Sequence, residues 1–107
     1  MTETKQENLK TLADIDKVIH EPARLLILAY LSVVKNADFL FMMNQTGLTR
    51  GNLSSHMSKL EASGYVEIKK EFVDKIPRTL LSLTKEGKKA FKNYRKNMKQ
   101  MLDSLPG

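Results

Sequence analysis

Residues 46–64 read TGLTRGNLSSHMSKLEASG, and this stretch decides the architecture. Leu53, Met57 and Leu60 recur at helical spacing, which predicts an amphipathic helix with one apolar stripe. The opposite face holds Gly51, Asn52, Ser54, Ser55, Ser58 and Lys59, with Glu61 and Ala62 only near the end. Ser, Asn and Gly are mediocre to poor helix formers, so this face gives up propensity where packing makes no demand. Thr49 stands where an N-cap belongs, and Gly64 where a left-handed C-cap belongs.

Upstream, DFLFMMNQTG predicts a short helix capped by Asp38 and closed by Gly47. Before it, HEPARLLILAYL opens a mostly buried helix: Pro22 suits a first turn, and Glu21 favours the positive end of the dipole. Leu9, Leu12, Ile15 and Ile19 share one side of a further helix over residues 7–19. Downstream of Gly64 the period drops from 3.6 to about 2. YVEIKKEFV and TLLSLT read as two strands joined through VDKIP, which lacks Asn-Gly and so predicts a longer, looser turn. Pro77 belongs at a strand edge or in the loop, because it cannot donate to a ladder. From Thr84, a last helix runs to about Leu105. Its apolar residues Phe91, Tyr94, Met98, Met101 and Leu105 step by 3, 4, 3 and 4, a heptad seam. The expected fold class is α+β and mainly helical, one domain over residues 1–107.

At 107 residues the chain suffices for one modest core, and 41% apolar with 28% charged residues is ordinary for a globular protein. Without cysteine there is no disulfide, thiolate metal site or thiol redox sensor. No apolar run approaches the ~20 residues of a membrane span, and the polar start MTETKQENLK has no signal-peptide character, so the expected compartment is the cytoplasm. The net charge of +6 is unevenly placed: residues 1–49 hold five Lys/Arg and six Asp/Glu, residues 50–107 thirteen and six. That skew points to a polyanion, nucleic acid before membrane, although solubility alone would also account for it.

A short helix, the turn TGLT and a second helix with a polar outer face form a helix-turn-helix, over about residues 38–63. The Ser/Asn-rich face then has a purpose. Small side chains let the helix enter a major groove, Ser and Asn offer donors and acceptors, and Lys and Arg supply charge. The bland reading is a solvated helix that happens to be rich in serine. The hairpin that follows, about 65–83, is placed as the wing of a winged helix. Lys69, Lys70, Lys75 and Arg78 lie on or beside it, with Lys75 near the tip. Edge protection explains Lys69 and Lys70 better than it explains Lys75 and Arg78.

The chain resembles small winged helix-turn-helix transcriptional regulators of the MarR/ArsR-like class, through HEPARLLILAYL, GLTRGNLSSHMSKLEASGYVEI and PRTLLSLTKEGKKAF. The resemblance implies that Thr49, Arg50, Asn52, Ser54, Ser55 and Lys59 occupy recognition-helix contact positions, and Arg78 the basic wing position. It also implies a homodimer built through the first and last helices. Leu9, Leu12, Ile15, Ile19, Phe91, Tyr94, Met98, Met101 and Leu105 are the expected interface. The wing segment EFVDKIP departs from the class in having no glycine at its tip.

The expected function is sequence-specific binding of double-stranded DNA by a homodimeric regulator, a repressor before an activator, on an imperfect palindrome with half-sites about 34–36 Å apart. A small-molecule effector is open, with Met42 and Met43 read as core filler before pocket lining. No cofactor is expected. His20 and His56 lie on separate elements and read as helix-start and helix-flank residues rather than metal ligands. No Ser-His-Asp spacing, phosphate loop or carboxylate pair points to an enzyme. The rival is a winged-helix interaction module that binds DNA weakly and displays an apolar patch. RNA binding lacks the exposed aromatic platform that single strands need.

Overall fold

The computed structural model describes Leu9 and residues 14–107; Leu12 and most of the predicted 7–19 helix lie outside the described residues. The described end of that segment departs from expectation. Asp16 Oδ1 accepts the backbone N–H of Val18 at 3.0 Å and of Ile19 at 3.2 Å, and the Asp16 carbonyl accepts from His20. An aspartate that bonds its own following backbone competes with helix, so residues 17–20 form a turn.

Four helices and three strands follow. Helix α1 spans Pro22–Ser32, strand β1 Ala37–Asp38, α2 Phe39–Thr46, α3 Arg50–Ala62, β2 Val66–Val73, β3 Ile76–Leu83 and α4 Lys85–Asp103. The capping signals act as read. Glu21, Asp38, Thr49 and Thr84 each accept a backbone N–H at the start of their helix, and Gly47 takes a left-handed conformation after α2. Gly64 does the same just past α3, at φ +79.

The sheet is antiparallel in the order β1-β3-β2. Its third strand was not foreseen: β1 is two residues long, too short for any periodicity, and exists only by pairing Ala37 and Asp38 with Leu81 and Leu80. The expected loose wing turn is also corrected. Val73 pairs with Ile76, leaving Asp74 and Lys75 alone at the tip with φ +52 and +66. Both central residues left-handed is the type I′ arrangement, whose twist matches the strands it joins. Pro77 sits in β3 opposite Phe72, next to the closing pair, where alternation turns its nitrogen away from β2 and no ladder bond is lost.

The core gathers Ile19, Ile27, Leu28, Leu31, Met42, Leu53, Met57, Leu60 and Leu81, all below 2% exposed, with Val66, Phe91 and Tyr94 around them. Ile19 is therefore corrected as an interface residue. It is wholly enclosed by its own chain and has no surface to offer a partner. Met42 is core, and Met43 packs beside it.

Candidate nucleic-acid interface

With Leu53, Met57 and Leu60 buried, α3 turns Arg50, Gly51, Asn52, Ser54, Ser55, Ser58 and Lys59 to solvent, and Thr49 before it is exposed too. At roughly 100° per residue these side chains divide around the helix. Arg50, Ser54 and Ser58 lie toward the wing, Gly51 and Ser55 stand opposite the core, and Asn52 and Lys59 take the far flank.

Between α3 and the inner face of the wing runs a groove of about 290 Å³, lined by Phe39, Arg50, Ser54, Ser58, Lys70 and Thr79 over an apolar floor. It meets a cleft of about 490 Å³ between the start of α2 and the wing tip, which shares Phe39, Arg50 and Thr79 and adds Asp38, Pro77 and Arg78. Arg50 is the hinge of both. Its guanidinium carbon sits 5.7 Å from the centre of the Phe39 ring, a cation–π contact that holds a mobile cation at the mouth of the groove.

Arg78 is not a free wing cation. Its Nε donates to Asp38 Oδ2 at 3.0 Å, and Asp38 also caps α2 by accepting the Leu40 N–H. Burial would raise the Asp38 pKa, but the Arg78 hydrogen bond and the N–H groups of Leu40 and Phe41 outweigh it and hold the carboxyl below its ordinary value. The pair fastens the wing to the first helix of the helix-turn-helix. Lys75 stands apart at the turn. Asp74 is beside it, and the strand ends that flank the turn are apolar, with Phe72 75% and Ile76 63% exposed.

A polar network fixes α3 from behind. Arg24, buried in α1, donates through Nε to the Val18 carbonyl and through Nη1 to His56 Nδ1 at 3.1 Å. Glu21 Oε2 lies 3.6 Å from the same His56 nitrogen, so the start of α1 and the middle of α3 meet at this ring. Tyr65 donates to Asp16 at 2.5 Å; that bond, with burial, pushes the phenol up to about 12. His20 Nδ1 meets the Tyr94 hydroxyl at 2.8 Å. Both histidines thus serve packing and orientation. Among the described residues no His/Cys/Asp/Glu group could hold a metal ion, and no helix is long and apolar enough to cross a membrane.

A family description reading "Winged helix DNA-binding domain" matches residues 23–102. The chain belongs to that family. The winged-helix chain is 37% identical over 78 residues to an uncharacterized protein of Methanocaldococcus jannaschii, covering 73% of this chain and 85% of the relative. Among solved structures it is similar to a transcriptional regulator homologue from Pyrococcus horikoshii OT3, with TM-score 0.86, 32% identity and coverage of 94% and 99% of the two chains. A MarR-family transcriptional regulator from Silicibacter pomeroyi shares the fold at TM-score 0.60 and 20% identity, over 97% of this chain and 65% of that one. The winged-helix chain is a DNA-binding protein of transcriptional-regulator type.

Of the contact positions read from sequence, this winged helix brings Arg50 and Ser54 into the groove, leaves Asn52, Ser55 and Lys59 on open helix surface, and commits Arg78 to Asp38. Thr79 was missed, and Lys70, read as edge protection on the hairpin, lines the groove. The signal was available in the alternation: Val66, Ile68 and Lys70 share one face of β2, so Lys70 continues the inward face beyond the core. Of the expected interface residues, Phe91 and Tyr94 are core residues of their own chain and Met101 is buried. Ile15 and Met98 pack partly against the core, while Leu9 and Leu105 remain exposed. Leu102, 56% exposed, was not anticipated.

Proposed function

We propose that this winged helix reads specific double-stranded DNA as a homodimer and represses transcription from the sites it occupies. The observation that carries the reading is the α3 surface: a helix locked in place on its buried side and covered on its open side by small polar and cationic groups. Nothing in packing requires that composition. In a major groove, Asn52 and Ser55 reach base edges, Arg50 and Ser54 follow the groove wall beside the wing, and Lys59 and Lys75 hold phosphates. Exposed Leu102 and Leu105, with Met98 beside them, supply the apolar surface for the partner copy, and Phe91 and Tyr94 stiffen the helix that presents it.

Selection from a random-sequence duplex pool tests the proposal. The expected product is an imperfect palindrome with half-sites about one helical turn apart. Asn52→Ala and Ser55→Ala should each cost on the order of 1–3 kcal/mol on the selected site and little on scrambled DNA. Equal losses on both duplexes would end the claim that α3 reads sequence. Transcription from a template bearing the selected site should fall on adding protein, and a rise instead would make it an activator.

The exposed Phe72 and Ile76 favour one alternative, an apolar wing tip that docks on another protein. Replacing both by Ser separates the two readings. DNA selection survives the change under the first, whereas under the second the pool yields no consensus with either protein.

A further inference from the structure

The charge skew does not sit where DNA reading needs it. Residues 50–83 hold six Lys/Arg and four Asp/Glu, whereas residues 84–107 hold seven Lys/Arg and two Asp/Glu. Most of the excess positive charge therefore belongs to α4. Lys85, Lys88, Lys92, Arg95 and Lys99 step by 3, 4, 3 and 4, and Lys89 and Lys96 lie beside them. At roughly 100° per residue all seven fall within an arc of about 120° and run for about 21 Å along the axis. All seven are exposed. The apolar seam of Phe91, Tyr94, Met98, Met101 and Leu105 is centred on the other side, and only the edge meets it: Arg95 lies 6.0 Å over the Phe91 ring and shares a hollow with Met98 and Leu102, so a partner copy on the seam covers Arg95 and leaves Lys85, Lys88, Lys89, Lys92 and Lys96 open.

An ordinary solvated helix face interleaves Glu with Lys. Here the sole ion pair of the stripe among the described residues is Lys99 with Asp103, at 2.7 Å. Lys85–Lys89, Lys88–Lys92, Lys92–Lys96 and Arg95–Lys99 are like-charge neighbours at i,i+4, each destabilising. Lys85 and Lys88 stand in the first turn, where the helix dipole favours acids. The helix thus carries an arrangement that opposes its own stability, with only Glu86 in its first turn and Asp103 at its end set against seven cations.

The stripe starts beside the C-terminal end of α3, at the opposite end of that helix from Arg50. Thr84 Oγ1 donates to the Gly64 carbonyl, and its N–H goes to the Tyr65 carbonyl, which pins the start of α4 to the base of the wing. Arg50 opens α3, about 18 Å of helix away from Ala62.

We propose that the α4 stripe is a second DNA surface, one that takes the phosphate backbone of a duplex segment other than the one α3 reads, without regard to sequence. Parallel cations with no hydrogen-bonding amides or aromatics among them suit a uniform polyanion and offer nothing to read a base. The inference rests on the reading of α3 as a DNA surface, because it assigns the protein two such surfaces and hence the ability to hold two segments at once.

The test uses the full chain and two mixed-sequence duplexes, one fixed to beads and one labelled in solution. Wild-type protein is expected to carry the labelled duplex onto the beads. The Lys88→Gln/Lys92→Gln/Lys96→Gln variant keeps helix propensity and relieves like charge, so it should melt no lower than wild type. Its capture of the second duplex should fall at least about tenfold, because three phosphate contacts are worth a log–log salt slope of about 2.7 per protomer. Capture equal to wild type would overturn the proposal, and an acidic protein would become the partner to seek. The Arg50→Ala/Lys59→Ala variant tells the two readings apart. If it binds a single duplex as well as wild type does, α3 is not a DNA surface and the two-segment proposal falls with it. If it loses that binding in part while the remainder disappears with the three Gln substitutions, both surfaces stand.

Discussion

At Gly87 a side chain of any size would collide with main chain: an added Cβ would lie 2.0 Å from the Tyr65 carbonyl oxygen. That close approach lets Thr84 join the end of α3 to the start of α4. Backbone cannot swing aside as a side chain can, so Gly87→Ala should destabilise by on the order of 1–3 kcal/mol, read as a lower denaturation midpoint at unchanged m-value. A heptad-like pattern identified this helix, but no local pattern marks Gly87 as indispensable, since its reason lies 22 residues away in the sequence.

Asp38 and Tyr65 make opposite pH predictions. The Asp38 carboxyl is held below its ordinary pKa by Arg78 and two backbone N–H groups, against the opposing effect of burial. The folded state then binds fewer protons than the unfolded one, so the stability from this group is complete above the usual carboxylate range and is lost as pH falls through the folded pKa. Arg78→Ala should weaken that acid-side dependence. At neutral pH it should cost about 0.2–1 kcal/mol, the range for partly exposed pairs. Tyr65 is the reverse. Its phenol is raised from 10.0 to about 12, chiefly by the bond to Asp16, so its contribution is whole below about pH 10 and declines up to about 12. Denaturation of Tyr65→Phe should show no loss over that alkaline window beyond what the other tyrosines and lysines give.

Among the elements, the wing departs most from expectation. Asp74 and Lys75 hold left-handed backbone, which aspartate accepts and lysine disfavours, because the pairing from Val66–Leu83 out to Val73–Ile76 leaves just two residues to reverse the chain. The hydrophobic alternation set the register and the turn had to comply. Lys75→Gly alone gives the Asp-Gly pair that a type I′ turn prefers and should stabilise the fold by roughly 0.5–1 kcal/mol. The same change removes the tip cation. Thermal stability and affinity for random duplex should therefore move in opposite directions, and a parallel rise in both would remove Lys75 from the DNA contacts.

For the whole molecule, the interface expected from two apolar stripes is narrower than the stripes themselves, since the core claims Ile19, Phe91 and Tyr94. Leu102→Glu, at a position 56% exposed, tests what remains. Sedimentation at micromolar concentration should show about twice the 12.2 kDa chain mass for wild type and a shift toward monomer for the variant. A monomeric wild type would end the palindrome claim as well. Arg78 is tied to Asp38, but Lys70 joins the groove, so four cations per protomer (Arg50, Lys59, Lys70 and Lys75) are left for phosphate. On a duplex just long enough for one dimer the log–log salt slope should be about −7.

Local chemistry was enough for α1 to α4 and for the two long strands. Caps such as Thr49 and Gly64 and the 3.6-residue and 2-residue periods are properties of neighbouring residues, and they survive folding because the core agrees with them. The uncommitted face of α3 was legible for the same reason: a helix shows its free side by what its buried side excludes. Three things depended on contacts distant in sequence. Strand β1 exists only through β3, the tight wing turn only through the register of the strands beneath it, and the role of Arg78 only because Asp38 folds to within 3.0 Å of it. A charge seen in sequence has a sign, but its partner is chosen by the tertiary structure, and the partner decides whether that charge is free to meet DNA or is spent holding the wing.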